Sequence, residues 1–345
     1  MTSSQNFDLL QQVIAIISFL INILMILLIL SKSPKSLGAY KYLMVLMSVS
    51  ELGYALIDFL IKPEIISHGS FWIVGTNSEK SMIPLNIAYP LILFWGAAYG
   101  IAVACFGIHF IFRYFMVIGI RKWVSGPMML TIWFSVPVVS LLIYAFTIHW
   151  FLKFDENLER LVRSELLAFQ NLPSTDIQYY GFSLYTTFES AGIPKINWTT
   201  MYGVILLGFV VSLSLFTMIY FAVKAHKAIQ ELTKSCESLS SIAQALQKQL
   251  FYSLVIQTII PMFLIHFPTT VIVSASFMGA GRQFYGDFIT VTISLFPLID
   301  PLPSMIIIKP YRTALRNLVL FWRPKTAVDP NTTKFSSVIS RAAMN

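Results

Sequence analysis

The sequence predicts an all-α membrane protein built as a bundle of seven transmembrane helices. Of its 345 residues, 56% are hydrophobic and only 12% are charged, which is more apolar surface than a water-soluble globule of this size buries. Seven apolar segments are long enough to cross a bilayer. The basic residues are concentrated in the connections between these segments, as is typical of multi-pass membrane proteins.

The predicted spans follow one another along almost the whole chain. A spanning helix needs about 20 mainly apolar residues, because each residue adds about 1.5 Å and the hydrocarbon core is about 30 Å thick. The segments that meet this condition are residues 9–30, 42–61, 86–112, 126–150, 199–223, 250–277 and 288–308. Only the connection between the fourth and fifth spans, residues 151–198, is long.

The distribution of Lys and Arg predicts the orientation of the chain. Most of the 24 basic residues lie after the first, third and fifth spans and in the C-terminal tail. Because basic residues are retained on the cytoplasmic side during insertion, we expect an extracellular N-terminus and a cytoplasmic C-terminus in a multi-pass protein of the cell membrane. We divide the chain into a transmembrane domain, residues 1–323, and a disordered cytoplasmic tail, residues 324–345, which is poor in apolar residues.

Several classes of function are disfavoured. The two cysteines, Cys105 and Cys236, lie in an apolar and a polar segment and give no disulfide framework. The five histidines are scattered without a metal-binding motif, and no Walker or GxSxG motif is present. The net charge of +8 is spread over several connections instead of forming one patch. We therefore expect no catalytic site, metal, cofactor or nucleic-acid partner, and expect contact with membrane lipids.

Three acidic residues lie inside predicted spans, where a charge costs roughly 2.5 to 3.5 kcal/mol. They are Glu51, Asp58 and Asp300. Glu51, Tyr54 and Asp58 share one helix face, which must point into the bundle. This face is either a polar site for an ion, a proton or a ligand group, or a set of buried carboxyl groups bonded to neighbouring helices. Asp58 lies nearer the predicted outer surface, where it reaches ligand or water.

Prolines predict irregular helices in the last two spans. Pro301 follows Asp300 directly, and Pro261 and Pro268 interrupt the sixth span. A proline inside a helix removes one hydrogen bond and clashes with the preceding turn, so these sites are either hinges or static kinks.

Candidate interaction residues lie near the predicted cytoplasmic ends. Arg113, at the end of the third span beside His109 and Tyr114, is by default a membrane anchor. The residues Leu239, Ile242, Leu246 and Lys248 predict an amphipathic extension of the sixth span, which is either a partner-binding surface or a helix end leaning on its neighbours. Tyr311 and Arg312 open a basic segment expected to lie along the membrane. On the opposite side, Asn197-Trp198-Thr199 is a glycosylation sequon.

Several stretches together resemble one known family. They are Ser36-Leu-Gly-Ala-Tyr-Lys-Tyr42, the segment from His109 to Tyr114, the segments from Gln244 to Pro261 and from Phe267 to Thr269, and Phe296-Pro-Leu-Ile-Asp-Pro301 with Tyr311-Arg312. Their order and spacing resemble the Str family of nematode seven-transmembrane serpentine chemoreceptors. The resemblance implies a bundle like that of G-protein-coupled receptors, in the cilium membrane of a chemosensory neuron. It also implies a small-molecule odorant as ligand and a heterotrimeric G protein as partner.

The resemblance assigns roles to particular residues. Arg113-Tyr114 stands where rhodopsin-class receptors have an acid-Arg-Tyr motif, with Phe112 in place of the acid, and Asp300-Pro301 stands where they have Asn-Pro. Together with the buried acids and the proline interruptions, these motif positions give the candidate switch residues Glu51, His109, Arg113, Tyr114, Pro261, Pro268, Asp300 and Pro301. If the partner is the G protein that the resemblance implies, the amphipathic extension and the basic segment after the seventh span give the candidate G-protein contacts Leu239, Ile242, Leu246, Lys248, Tyr311 and Arg312.

The predicted ligand site lies in the outer half of the bundle, around Asp58. The side chains expected to line an aromatic cavity for a small, weakly polar molecule are Tyr89, Phe94, Tyr202, Phe209, Thr270, Ser274 and Phe288. The alternative to a G-protein-coupled receptor is a ligand-gated channel or a transporter with seven helices.

Overall fold

The computed structural model describes residues 3–153, 159–160, 177–186, 195–234 and 241–322. Seven of its helical segments are long and apolar enough to cross a membrane, which confirms the predicted bundle. The first five spans are Ser3–Lys32, Tyr40–Ile61, Leu85–Val117, Pro127–Phe151 and Trp198–Lys234. The sixth comprises Ser241–Pro261, a π-helical segment Met262–His266, and Phe267–Phe277. The seventh comprises Gln283–Ile299 and Pro301–Ile307. The predicted tail, 324–345, lies outside the described residues.

The spans extend further than hydropathy predicts, because a helix continues into the interface once its apolar centre is fixed. The fifth span runs to Lys234, although apolar character ends near residue 223. A short helix, Arg121–Val124, follows the third span, and an amphipathic helix, Lys309–Trp322, follows the seventh. We call the end of the bundle that carries this last helix the tail end.

A β-sheet, which the sequence did not predict, covers the opposite end of the bundle. Strands β1 (Glu64–His68), β2 (Phe71–Asn77) and β3 (Ile177–Ser183) form an antiparallel sheet in the order β1-β2-β3. Two short strands, β4 (Tyr185–Thr186) and β5 (Lys195–Ile196), pair beside it. We call this the sheet end. The sheet joins the second connection to the fourth, because Val74 pairs with Tyr180.

The sheet packs directly on the helices. Ile65, Val74 and Phe182 are buried in one apolar cluster with Trp95 of the third span and Ile289 of the seventh. Gly181 allows the two strands to approach, because a Cβ atom there would lie 2.3 Å from the Trp72 carbonyl oxygen. The sheet is therefore part of the core of the protein.

An ion-pair cluster attaches the first span to the sheet. The Lys80 ammonium group contacts Glu64 of β1 and lies 3.4 Å from Asp8. Burial lowers the pKa of Lys80, but the two carboxylates outweigh burial and the net pKa is raised above its usual value. The cluster therefore stabilises the fold while Lys80 is charged, and this stabilisation is lost as the pH rises past the raised pKa, in strongly alkaline solution.

Replacing Lys80 with methionine is expected to destabilise the protein by about 2 kcal/mol, since Glu64 then loses a charged hydrogen-bond donor and Asp8 loses its ion-pair partner in a partly buried site. Thermal unfolding in detergent measures the change. Lys153→Met, which removes an exposed lysine at the same end, is the control. Equal unfolding temperatures for the two variants at neutral pH would contradict the assignment.

Candidate functional site

A large cavity lies inside the bundle beneath the sheet. Its volume is about 530 Å³, within the range typical of small-molecule sites. Its roof is formed by Ile65, Val74, Tyr180 and Phe182 of the sheet, and its walls by the second to seventh spans. Most of the lining side chains are apolar, so the cavity suits a small and mainly apolar molecule.

A few polar groups converge on this cavity. Tyr99 of the third span forms a hydrogen bond with Nδ1 of His266, which lies in the π-helical part of the sixth span. The Tyr144 hydroxyl and the Trp72 indole N–H also belong to lining residues, and neither has a hydrogen-bond partner among the described residues. Because a buried polar group without a partner is costly, these atoms mark positions where a ligand gains by accepting or donating a hydrogen bond.

Two of the side chains expected to bind ligand belong to the cavity lining, namely Thr270 and Ser274. Phe94, Tyr202, Phe209 and Phe288 are instead exposed on the outside of the bundle, with Phe209 63% exposed. These four side chains were predicted to line the cavity, and that prediction is wrong. The spans are apolar on all sides, so their sequence does not show which face points inward.

Asp58 and Tyr89 also lie outside the cavity lining. Asp58 is 1% exposed and accepts hydrogen bonds from Gln11 (3.2 Å) and from the Trp95 indole (3.1 Å). It therefore joins the first three spans and does not reach water. The Tyr89 hydroxyl pairs with Nδ1 of His149 at 3.1 Å and connects the third span to the fourth.

A second, much smaller cavity lies nearer the tail end and is polar. Its volume is about 20 Å³, room for roughly one water molecule. Glu51, His109 and Asp300 line it, and each has one side-chain atom without a hydrogen-bond partner in the described part of the chain: Glu51 Oε1, His109 Nε2 and Asp300 Oδ1. Three residues assigned to switching are therefore brought together by the fold.

Hydrogen bonds connect this polar cavity to the sixth and seventh spans. The Gln257 amide donates to the Asp300 carboxylate (3.0 Å) and to the Asp300 carbonyl (2.9 Å). The Ser304 hydroxyl donates to Gln257 Oε1 (3.0 Å) and pairs with Ser253 at 2.9 Å. These four residues form what we call the Gln257 network.

The seventh span is interrupted at Asp300, as its prolines predict. Pro301 has no N–H group, so the Pro297 carbonyl loses its helical hydrogen-bond donor. The Asn22 side chain of the first span donates to this carbonyl at 2.8 Å. In the sixth span, the regular helix ends at Pro261 and the π-helical segment follows, with Pro268 buried in the next turn.

Arg113 is fully buried, so its interpretation as a membrane anchor is wrong. Its guanidinium group donates to Gln247 Oε1 of the sixth span (2.9 Å) and lies 4.8 Å from the Tyr40 ring centre. Its Nε and Nη2 atoms have no partner among the described residues. The His109 ring also contacts Tyr40, with ring centres 5.4 Å apart. Arg113 therefore joins the tail-end parts of the second, third and sixth spans.

The other residues assigned to the tail end have different environments. Tyr114 contacts Phe221 of the fifth span, with ring centres 5.7 Å apart. Leu246 and Tyr311 are buried, and the Tyr311 hydroxyl pairs with Ser33 at 2.7 Å. Lys248 is half-buried and Arg312 is exposed. Leu239 lies outside the described residues, and the side chain of Ile242 does so too, although its backbone is helical.

Asn197 precedes the fifth span at the sheet end. Its Oδ1 atom accepts a hydrogen bond from the Thr200 backbone N–H at 3.3 Å, the position of a helix N-cap.

Sequence reasoning missed several residues of these sites, among them Tyr99, His266, Gln257 and Asn22. Each is a polar residue inside an apolar span, and this signal is available from the sequence. Trp72 carries no such signal, since its position depends on a sheet formed between distant connections.

Comparisons with known proteins agree with this architecture. A family model described as serpentine type 7TM GPCR chemoreceptor Str matches residues 7–316. The chain is 28% identical to the Caenorhabditis elegans protein named G-protein coupled receptor str-217, over 90% of this chain and 89% of that protein. It is also 28% identical to serpentine receptor class r-10 of the same organism, over 88% of each chain. The chain therefore belongs to the Str family of serpentine seven-transmembrane chemoreceptors.

Proposed function

We propose that this protein is a chemosensory receptor that binds a small, mainly apolar odorant in the large cavity and activates a heterotrimeric G protein at the tail end. The observation that carries this proposal is the position of Glu51, which lines both the large cavity and the small polar cavity. A ligand in the large cavity thus lies next to the residues that hold the tail-end halves of the spans together.

The structure supports a route for the signal. A ligand that contacts Tyr99 and His266 touches the π-helical segment of the sixth span, because His266 belongs to that segment. The helix already departs from regular geometry there. Displacement of this segment is passed through the Gln257 network to the seventh span, and along the sixth span to the contact between Arg113 and Gln247. Opening that contact frees the tail-end half of the sixth span to move outward and expose a docking surface for the G protein.

Function in this form requires the sheet end to lie outside the cell and the tail end in the cytoplasm. The charge distribution supports this orientation. Epitope tags at the two termini, stained before and after permeabilisation, test it, and a tag at the N-terminus that is reached only after permeabilisation would contradict it. Glycosylation of Asn197, removed by a glycosidase with a shift in gel mobility and lost in Asn197→Gln, would support the same orientation.

Family membership also supports a location in the cilium membrane of a chemosensory neuron. A fluorescently tagged full chain expressed under its own promoter is expected to accumulate in the sensory ending. Uniform distribution over the cell body would argue against it.

The receptor assignment is tested by expressing the full chain in cells that report calcium and screening a panel of uncharged volatile compounds. At least one compound is expected to produce a response that is lost when G-protein signalling is blocked. A membrane current that persists under the same block would instead indicate a ligand-gated channel. Tyr99→Phe, which removes one hydroxyl from the cavity, serves as the variant that should change ligand preference at equal surface expression.

A further inference from the structure

The large cavity is closed towards the sheet end. The sheet covers it with buried side chains, among them Val74, Tyr180 and Phe182. Backbone hydrogen bonds of 3.0 and 2.8 Å join Gly69, between β1 and β2, to Gly281, between the sixth and seventh spans. The roof is thereby attached to the helices on its far side, and a ligand does not pass straight down from water at this end.

The side of the cavity between the fifth and sixth spans is open. Every exposed residue of the described cavity lining belongs to one of these two spans: Gly208, Ser212, Thr270, Ser274 and Phe277. The fifth span packs along the third and against the tail-end half of the sixth, but makes few contacts with the Phe267–Phe277 half. At the sheet end, the gap is closed by a hydrogen bond of 2.9 Å from the Tyr185 hydroxyl to the Phe277 carbonyl.

Four of the five exposed residues at this opening, Gly208, Ser212, Thr270 and Ser274, have small side chains. A Cβ atom added at Gly208 would meet no heavy atom within 4 Å, so the space beside it is empty among the described residues. The Thr270 hydroxyl already donates to the His266 carbonyl of its own helix, at 2.8 Å. The neighbouring surface of the fifth span, with Phe209 and Leu213 exposed, is apolar and suited to lipid. The opening therefore faces hydrocarbon.

We propose that ligands enter the large cavity from the bilayer, through the gap between the fifth span and the Phe267–Phe277 half of the sixth. The ligands are accordingly uncharged, lipophilic molecules that dissolve in the membrane, because a charged molecule is excluded from the hydrocarbon at the opening. This inference rests on the proposed function, since it concerns the route to the same cavity. Gly208 and Ser212 then act as the residues that set the width of the entrance.

Photolabelling of the full chain in lipid vesicles tests the route. The probe is 3-trifluoromethyl-3-phenyldiazirine, which is uncharged and dissolves in the bilayer; light expels N₂ and leaves a carbene that inserts into a nearby C–H or O–H bond. Mass spectrometry is expected to find label on interior cavity residues such as Trp95, Tyr99 and Ile293. Gly208→Trp is expected to lower this interior labelling at least about five-fold, and a sulfonated diazirine confined to water should not label the interior.

The control is Leu213→Trp, which places the same side chain on the lipid-facing surface of the same span, outside the cavity lining. It should leave interior labelling unchanged. Ser212→Phe is a second blocking variant and keeps the test decisive if Gly208→Trp does not fold. Each variant is first shown to unfold at the wild-type temperature.

The possible results test entry from the bilayer separately from ligand binding in the large cavity. Interior labelling that is equal in the wild type and both blocking variants, or that arises from the sulfonated probe, would overturn entry from the bilayer and leave the cavity as the ligand site. Absence of interior labelling with both probes in the wild type would overturn the route and the proposed binding site together. Loss of labelling in the blocking variants alone supports the proposal.

Discussion

Replacing Arg113 with alanine is expected to remove most of the G-protein activation while leaving ligand binding unchanged. Arg113 is buried outside the lining of the large cavity and holds the third and sixth spans together through Gln247. In the active state, we expect the freed guanidinium group to contact the G protein. A charged hydrogen bond between Arg113 and the G protein contributes about 1.5 to 3 kcal/mol. Its loss corresponds to a fall in nucleotide exchange of roughly tenfold or more.

Gln247→Ala separates the two roles of this contact. It removes the partner that retains Arg113 in the closed arrangement but keeps the guanidinium group, so basal nucleotide exchange should rise and not fall. Arg282→Ala, which removes an exposed arginine at the sheet end, is the control for charge and should behave as wild type. All variants are compared at equal surface expression, with GTP analogue binding to a co-purified G protein as the measurement. Wild-type exchange in Arg113→Ala would refute the assigned role.

Replacing Gln257 with leucine is expected to cause the largest loss of stability in the bundle, about 3 kcal/mol. The substitution removes the donor of the Asp300 carboxylate and one of the two partners of the Ser304 hydroxyl, which keeps Ser253, in a site that water barely reaches. The large effect arises because the Asp300 carboxylate remains buried after it has lost this donor. Gln257→Glu, which keeps an acceptor for Ser304 but adds a third acid to the cavity that Glu51 and Asp300 already line, should also be destabilising.

Cys105 provides the measurement, since its thiol is fully buried and reacts with a fluorogenic maleimide only on unfolding. A Cys236→Ala background removes the other thiol. Thr258→Val is a matched control in the same span, because the Thr258 hydroxyl bonds only to the Leu254 carbonyl of its own helix in the described contacts. The double variant Gln257→Leu with Asp300→Leu should lose less than the sum of the single changes. Strict additivity would show that the two residues are not coupled.

The spans and the tail-end helix follow from the sequence because each is a local property of length, polarity and periodicity. The face of each span that points into the bundle does not follow from the sequence. Gly208 lines the cavity and its neighbour Phe209 faces outward, yet the surrounding residues of the fifth span are apolar on all sides and indicate neither direction. Aromatic side chains were therefore expected at the cavity in places where the structure exposes them.

The sheet and the burial of Arg113 depend on parts of the chain that are distant in sequence. Strand β2 ends at Asn77 and its partner β3 begins at Ile177, so no local pattern indicates the pairing. Arg113 at a helix end is a membrane anchor by default and becomes a buried contact only because Tyr40 and Gln247 approach it from other spans. The buried acids could be identified in advance as costly groups, but their partners Gln11, Trp95 and Gln257 are set by the packing of the bundle.

The pairing of β2 with β3 has a consequence for synthesis of the protein. Strand β2 leaves the ribosome long before β3, with the third and fourth spans made between them. The cavity therefore has no complete roof until the fourth connection has been made, and a molecule that fills the cavity binds only the finished receptor. By mass action, such a molecule shifts newly made chains towards the mature fold, so a ligand of the cavity supplied during expression should raise the yield of receptor at the cell surface.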